Sequence, residues 1–181
     1  ARRSGYRQRT DSKESIQVAT VSSASHEHHE RLTAMLDGLP ALAAMLDEQP
    51  RSPRFEERFR TIEAALKGTL LPHIERVEST LYPRLDELMG QRHSMTQMRA
   101  EHEDIRGLVE RLGTFGEALE ADALGPAGSV GLRRVLYRLY AMLKVHLAEE
   151  EEYLRVLERS LSAEDQAELA SGLEHAVAEP L

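Results

Sequence analysis

The chain has 181 residues, of which 41% are hydrophobic and 30% charged, and its formal net charge is −8. This length suits one globular domain, the acidic balance argues against general nucleic-acid binding, and no apolar run approaches the roughly 20 residues of a membrane span. Because there is no Cys, thiolate nucleophiles, disulfides, iron–sulfur clusters and Cys-ligated zinc are excluded, and any metal must bind to nitrogen and oxygen.

Residues 1–22 are rich in Arg, Ser, Thr and Gln and show no sustained apolar period. We interpret them as a flexible basic tail. Contact of this tail with a membrane surface or an acidic partner is an alternative to simple solvation. The tail lacks the apolar core of a signal peptide, so we expect the protein in the cytoplasm.

The first predicted helix begins near Ser25, which is available as a cap, and its apolar residues recur at three- and four-residue spacing as far as Leu46. Gly38 and Pro40 lie inside it. A proline lacks the amide hydrogen and crowds the preceding turn, so we expect a kink there. Residues 49–53 are predicted to form a loop.

The second predicted helix carries a long apolar stripe from Phe55 to Leu88. Gly68 and Pro72 interrupt this stripe in its middle. A bend just before His73 would free a backbone carbonyl and steer that imidazole, although a tolerated kink in a long helix is equally consistent with the sequence.

Two further long helices and a short one complete the pattern. The third helix is predicted over 94–119 and the fourth over 132–160, and the intervening segment 122–131, with three Gly and one Pro, is predicted to be a loop. A capping-type sequence at Ser162 predicts a short fifth helix that ends near Val177. We therefore predict an all-α protein, an antiparallel up-and-down four-helix bundle over 23–160 with an accessory helix in 161–181.

Four of the eight histidines lie at or beside the apolar stripes of four different predicted helices: His29, His73, His102 and His146. A single buried His is usually satisfied by a hydrogen-bond partner, but four unpaired imidazoles in one core are costly unless a common cation collects them. Glu150 follows His146 by four residues, about 40° around the helix axis, so both can reach one metal. We expect the rest of the acidic run 149–152 to be solvated, and His93 and His175 to lie on the surface.

The segments around these histidines form an ordered set: His29-Glu30-Arg31-Leu32, His73-Ile74-Glu75-Arg76-Val77-Glu78, Glu101-His102-Glu103 and His146-Leu147-Ala148-Glu149-Glu150. Together, over about residues 25–160, they resemble the hemerythrin/HHE cation-binding family. The resemblance implies a di-iron centre inside a four-helix bundle, and its implied ligands here are His29, His73, Glu78, His102, His146 and Glu150. The resemblance is what selects iron, because nitrogen and oxygen ligands alone also suit manganese or zinc.

The sequence departs from the family pattern at two positions. Val77 occupies the place of the metal-binding Glu of the second helix, and Met98 stands where a further His is frequent. Glu78 lies about 140° from His73 around the helix axis, so it reaches a metal only if the helix is distorted near Pro72. Other candidates for the missing ligand are His26, His28, Glu30, Tyr82, Tyr137 and Tyr140. For any one of them a solvated or packing role is favoured over ligation.

The leading functional hypothesis is a non-haem iron protein that binds or senses oxygen, peroxide or nitric oxide, with carboxylates such as Glu101 or Glu103 orienting the imidazoles. A peroxide-consuming, catalase-like enzyme is a variant of it, but the sequence shows no substrate pocket or proton relay. The second hypothesis is an iron-responsive or purely structural interaction module in which Val77 marks a degraded site. A third is a partner-binding bundle that acts through its basic tail.

Overall fold

The computed structural model describes residues 21–48, 52–89 and 95–174, without the side chains of residues 21–25, 27, 28, 47, 48 and 172–174. Most of the predicted basic tail, both His93 and His175, and the end of the predicted fifth helix lie outside the described residues. Every regular element in the described ranges is helical, which confirms the prediction of an all-helical protein.

The described chain forms α-helices and two π-helical turns. The α-helices are α1 (Val21–Leu36), α2 (Gly38–Glu48), α3 (Pro53–Ala65), α4 (Leu71–Arg76), α5 (Tyr82–Leu88), α6 (Thr96–Glu120), α7 (Pro126–Ser160) and α8 (Ala163–Glu174). The π-turns are Leu66–Leu70 and Val77–Leu81. The first and second predicted helices are each divided into shorter helices. The arrangement as an antiparallel four-helix bundle therefore stays a prediction.

The first predicted helix is broken into α1 and α2 at Asp37. Pro40 offers no amide hydrogen to the carbonyl four residues before it, which is that of Leu36, the last residue of α1. The chain therefore turns at the place where a kink was expected. The Asp37 amide still donates to the carbonyl of Thr33 at 3.1 Å, so the two helices remain closely joined.

The prediction of a loop over 122–131 is wrong in its second half, because α7 already begins at Pro126. Proline suits the first turn of a helix, where its missing amide hydrogen has no partner to lose. Gly128 and Gly131 lie inside α7, so they do not form a turn. Their lack of a side chain allows close packing against neighbouring residues. A Cβ at Gly131 would come within 2.9 Å of the Phe115 ring, and one at Gly128 within 2.8 Å of Leu124.

The bend expected before His73 is a π-turn, and a second π-turn follows it. Each turn, Leu66–Leu70 and Val77–Leu81, is followed after one residue by a proline, Pro72 or Pro83. The intervening residue donates its amide hydrogen to the carbonyl five residues back rather than four. A wider turn relieves the crowding that a proline ring imposes on the turn before it.

Helix α7 is central, since it packs against α1, α2, α5 and α6, while α8 packs against α1 and the second π-turn. The buried apolar side chains form two clusters. The large cluster includes Leu36, Leu66, Ile105, Leu139 and Leu147. The small cluster is Val77, Leu81, Tyr82, Leu85, Met95, Met98, Leu154, Leu157 and Ala170.

None of the helices within the described ranges combines the length and the hydropathy needed to cross a bilayer.

Candidate metal centre

The buried polar side chains form one layer between the two apolar clusters. On α7, Glu150 lies between Leu147 of the large cluster and Leu154 of the small one. In the described ranges, the buried polar or charged residues are His29, His102, His146 and Glu150, each at most 1% exposed. His73 joins them with 9% of its side chain exposed. The layer thus contains five of the six residues expected to bind metal.

One group of ligand atoms surrounds the Glu150 carboxylate. Its Oε2 lies 3.3 Å from Nε2 of His73 and 3.6 Å from Nε2 of His29. These residues offer ligand atoms that lie within 4.8 Å of one another. Oε1 of Glu150 is buried and has no hydrogen-bond partner. A buried carboxylate oxygen without a donor is costly, and a cation would satisfy it.

A second group lies beside the first. Nε2 of His102 is 2.8 Å from Nε2 of His146, and the Tyr82 hydroxyl is 3.3 Å from the same His102 atom. The Tyr82 ring also stacks on the His102 ring, with 5.4 Å between centroids and 8° between planes. The two groups are adjacent, since Nε2 of His146 is 3.8 Å from Oε2 of Glu150.

A carboxylate lies beside the outward-facing nitrogen of three of these rings. Nδ1 of His102 is 2.7 Å from Glu78, Nδ1 of His146 is 2.9 Å from Glu101, and Nδ1 of His29 is 3.7 Å from Glu151. An ionised carboxylate only accepts hydrogen bonds, so in the two short pairs Nδ1 carries the proton. The Nε2 atoms of His102 and His146 are therefore left with lone pairs.

Those two lone pairs face each other at 2.8 Å. They repel at this distance unless a proton or a cation lies between them. Two nitrogens bound to one metal at about 2.0–2.1 Å are themselves about 3 Å apart. The ring orientations, the protons on Nδ1 and the orphaned oxygen of Glu150 all fit a cation held by this layer.

The model of the hemerythrin HHE cation-binding domain matches residues 20–157. The chain belongs to this family. The matched range includes every residue of the layer. Searches among curated proteins and among solved structures gave no match.

Glu78 lies at the edge of the buried layer and not among the facing nitrogens. Oε1 of Glu78 accepts from His102, and both of its oxygens accept from Arg106, at 2.8 and 3.3 Å. In this arrangement Glu78 orients the His102 imidazole, as carboxylates beside metal-binding histidines commonly do. The prediction that Glu78 is a metal ligand, which required a distorted helix near Pro72, stays untested.

The second π-turn explains why Tyr82 enters the layer. In an unbroken α-helix, Tyr82 would stand nine residues after His73, about 180° away around the axis. One inserted residue turns the following segment back by about 100°. Tyr82 thereby moves onto the side of the helix that faces α6, where it is fully buried against His102.

The other candidates for the missing ligand lie away from the facing nitrogens. Tyr137 is 48% exposed, and Tyr140 packs against the large cluster. His26 is exposed and lies 3.4 Å from both Glu30 and Glu151. The side chain of His28 lies outside the described part of the chain. Glu103 pairs with Arg106 at the surface.

Sequence reasoning missed two contributors. Glu151 was expected to be solvated with the rest of its acidic run, but it contacts Nδ1 of His29. Arg106 was not considered at all. The sequence feature that could have identified Arg106 is its position four residues after His102, which places both side chains on one side of α6.

Electrostatics sets the charge of the layer. Burial lowers the pKa of His29, and burial together with His146 lowers the pKa of His102 to about 4, so both rings are neutral at pH 7. Burial alone would raise the pKa of Glu150, but the interactions of its carboxylate with His73, His29 and His146 lower it to about 2. Neutral imidazoles and an ionised carboxylate are the forms that bind cations.

The depressed pKa values predict that the metal-free protein loses stability in acid. An unfolded His titrates near pH 6.5, so between that pH and about 4 the unfolded state binds protons that folded His102 does not. Stability falls as pH falls through this window, by about 3 kcal/mol for His102 alone. The check is urea unfolding of chelator-treated protein from pH 7.5 to 4.5.

In the same titration His102→Gln should flatten the pH dependence, whereas His26→Gln, at an exposed position, should leave it unchanged. Equal pH profiles for the wild type and His102→Gln would contradict this account.

Proposed function

We propose that the protein is a non-haem iron protein that holds a di-iron centre in the histidine layer and binds, senses or consumes oxygen, peroxide or nitric oxide. Membership of the hemerythrin family supports the choice of iron over manganese or zinc, which the same nitrogen and oxygen ligands also suit. The observation that carries the proposal is the convergence of four imidazole Nε2 atoms and the Glu150 carboxylate within one buried layer.

We assign the ligands to two neighbouring positions. The first would be held by His29, His73 and Glu150, and the second by His102, His146 and Tyr82. Glu150 is the carboxylate that lies near both positions, since its Oε2 approaches nitrogens of each group. In this assignment it supplies the shared carboxylate that the family pattern would place at Val77.

Iron in these positions would supply electron exchange and an open coordination site for a small oxidant. The chain supplies the surroundings. The large and small apolar clusters exclude water on either side of the layer. Glu78 and Glu101 keep the Nδ1 protons of His102 and His146 in place, so that Nε2 remains the donor atom.

The proposal is tested with the full chain purified without a histidine tag. The protein is stripped with a chelator, reconstituted anaerobically with ferrous iron and then exposed to air, peroxide or nitric oxide in separate samples. We expect a pair of bound irons per chain by metal analysis and a visible charge-transfer band after oxidation. Protein that retains no iron after desalting, or no spectral change with any of the three ligands, would refute the proposal.

One observation favours the alternative of a structural interaction module. Val77, where the family pattern places a carboxylate, is buried in the small apolar cluster and offers no ligand atom. If the site is degraded, chelation leaves helicity and melting temperature unchanged. Under the iron proposal chelation lowers the melting temperature, because an ion bound only by the folded state stabilises it.

A further inference from the structure

The carboxylate behind His102 differs from the one behind His146. Arg106 binds Glu78 through both of its terminal nitrogens, 2.8 Å from Oε2 and 3.3 Å from Oε1. The same Oε1 is the atom that accepts from Nδ1 of His102 at 2.7 Å. A guanidinium, a carboxylate and an imidazole therefore form a continuous chain that leads into the layer.

Glu101, the carboxylate behind His146, is paired differently. Its Oε2 is 2.9 Å from Nδ1 of His146, and its Oε1 accepts from the neutral side-chain amide of Gln97 at 3.1 Å. Glu151, behind His29, has its nearest Arg nitrogen at 3.9 Å in an exposed pair. Among these three carboxylates, Glu78 is the one with a close, two-point guanidinium partner.

The guanidinium changes how strongly Glu78 attracts the Nδ1 proton. A carboxylate that accepts two hydrogen bonds from a cation has less charge left for a third donor. The Nδ1 proton then stays with His102, and the ring pushes less electron density to an atom bound at Nε2. His146, with an unneutralised carboxylate behind it, does not share this restraint.

We propose that Arg106 is a positioning residue that acts through Glu78 to make His102 a weaker electron donor, and so raises the reduction potential of a metal bound at His102. Arg106 itself is 29% exposed and hydrogen-bonds to Glu78 and Glu103. The inference rests on the proposed iron site, because it concerns a ligand of that site.

The test is spectroelectrochemical titration of iron-loaded full-length protein. Arg106→Leu should shift the reduction potential to lower values and move the charge-transfer band to shorter wavelength, because Glu78 then pulls harder on the His102 proton. Glu78→Gln should shift the potential in the opposite direction, since an amide oxygen accepts more weakly than a carboxylate. Arg106→Lys, which keeps the charge, should restore most of the wild-type potential.

The double variant, Glu78→Gln with Arg106→Leu, should equal Glu78→Gln alone, because Arg106 has no route to His102 without Glu78. Arg84→Leu is the matched control, since Arg84 makes an exposed ion pair with Glu87. It should leave the potential unchanged, and circular dichroism checks that every variant is folded.

Shifts of the same sign for Arg106→Leu and Glu78→Gln, or an Arg106→Leu potential equal to that of Arg84→Leu, would overturn the inference while the iron proposal stands. A wild-type chain that binds no iron would overturn both. If Arg106→Leu does not fold, the reduction potentials of Arg106→Lys and Glu78→Gln are compared with that of the double variant that carries both substitutions. A double variant equal to Glu78→Gln alone shows that Arg106 acts through Glu78, and a different potential overturns the inference.

Discussion

Glu150→Gln is expected to remove the stabilisation that metal gives to the protein. Glutamine keeps the size of the side chain but replaces the carboxylate at the centre of the layer, a ligand in the proposed site, where Oε2 lies within 3.8 Å of three imidazoles. Residues that merely orient ligands are worth about 10- to 100-fold in metal affinity, so if Glu150 binds the metal directly, its loss should cost more than about 100-fold.

The measurement is thermal or urea unfolding with and without ferrous iron under anaerobic conditions. With free metal at about 100 times the dissociation constant, the wild type gains about 2.7 kcal/mol, whereas a variant weakened about 100-fold gains only about 0.4 kcal/mol. Glu149→Gln, at the neighbouring partly exposed position, serves as the control and should behave as the wild type. If iron stabilises Glu150→Gln as much as it stabilises the wild type, Glu150 is not a metal ligand.

The second large effect concerns the colour of the oxidised protein. Burial, reinforced by the surrounding carboxylates, raises the pKa of Tyr82, so its hydroxyl keeps its proton until a cation displaces it. If Tyr82 completes the position held by His102 and His146, its phenolate gives the ferric protein an intense visible band. Tyr82→Phe should abolish that band while the chain still binds iron, because the proposed histidine ligands of both positions are unchanged.

Absorption spectra and metal analysis of Tyr82→Phe are to be compared with those of Tyr140→Phe, which alters a tyrosine packed against the large cluster. The lost contact with His102 should lower the stability of metal-free Tyr82→Phe by only about 1 kcal/mol. An unchanged band in Tyr82→Phe would show that Tyr82 only packs and hydrogen-bonds beside the site.

Much of the site was predictable because helical periodicity fixes which residues share a face. His146 and Glu150 stand four residues apart, and both lie buried in the layer as their spacing indicates. His29 and His102 were assigned inward from the apolar residues that follow them, and both are buried. The same reasoning failed at loop boundaries, where Pro126 starts α7 inside a segment predicted to be a loop.

The sequence could not decide between the tyrosine candidates or the role of Glu78. Both depend on the rotation of the chain between α4 and α5, and a π-turn changes that rotation by about 100°. Tyr82 was one of several open candidates because regular helical geometry does not bring it to the side of His73. Arg106 escaped attention because its importance comes from a contact with Glu78, a residue 28 positions away.

The amino-acid order alone determined the all-helical character of the chain, the absence of thiolate ligands and the inward position of the histidines, because these follow from local periodicity and composition. Only the tertiary structure decided which carboxylate stands behind which imidazole and which oxygen is left without a partner. Those pairings join residues of different helices, and they depend on helix rotations and side-chain distances that no repeat within a single helix specifies.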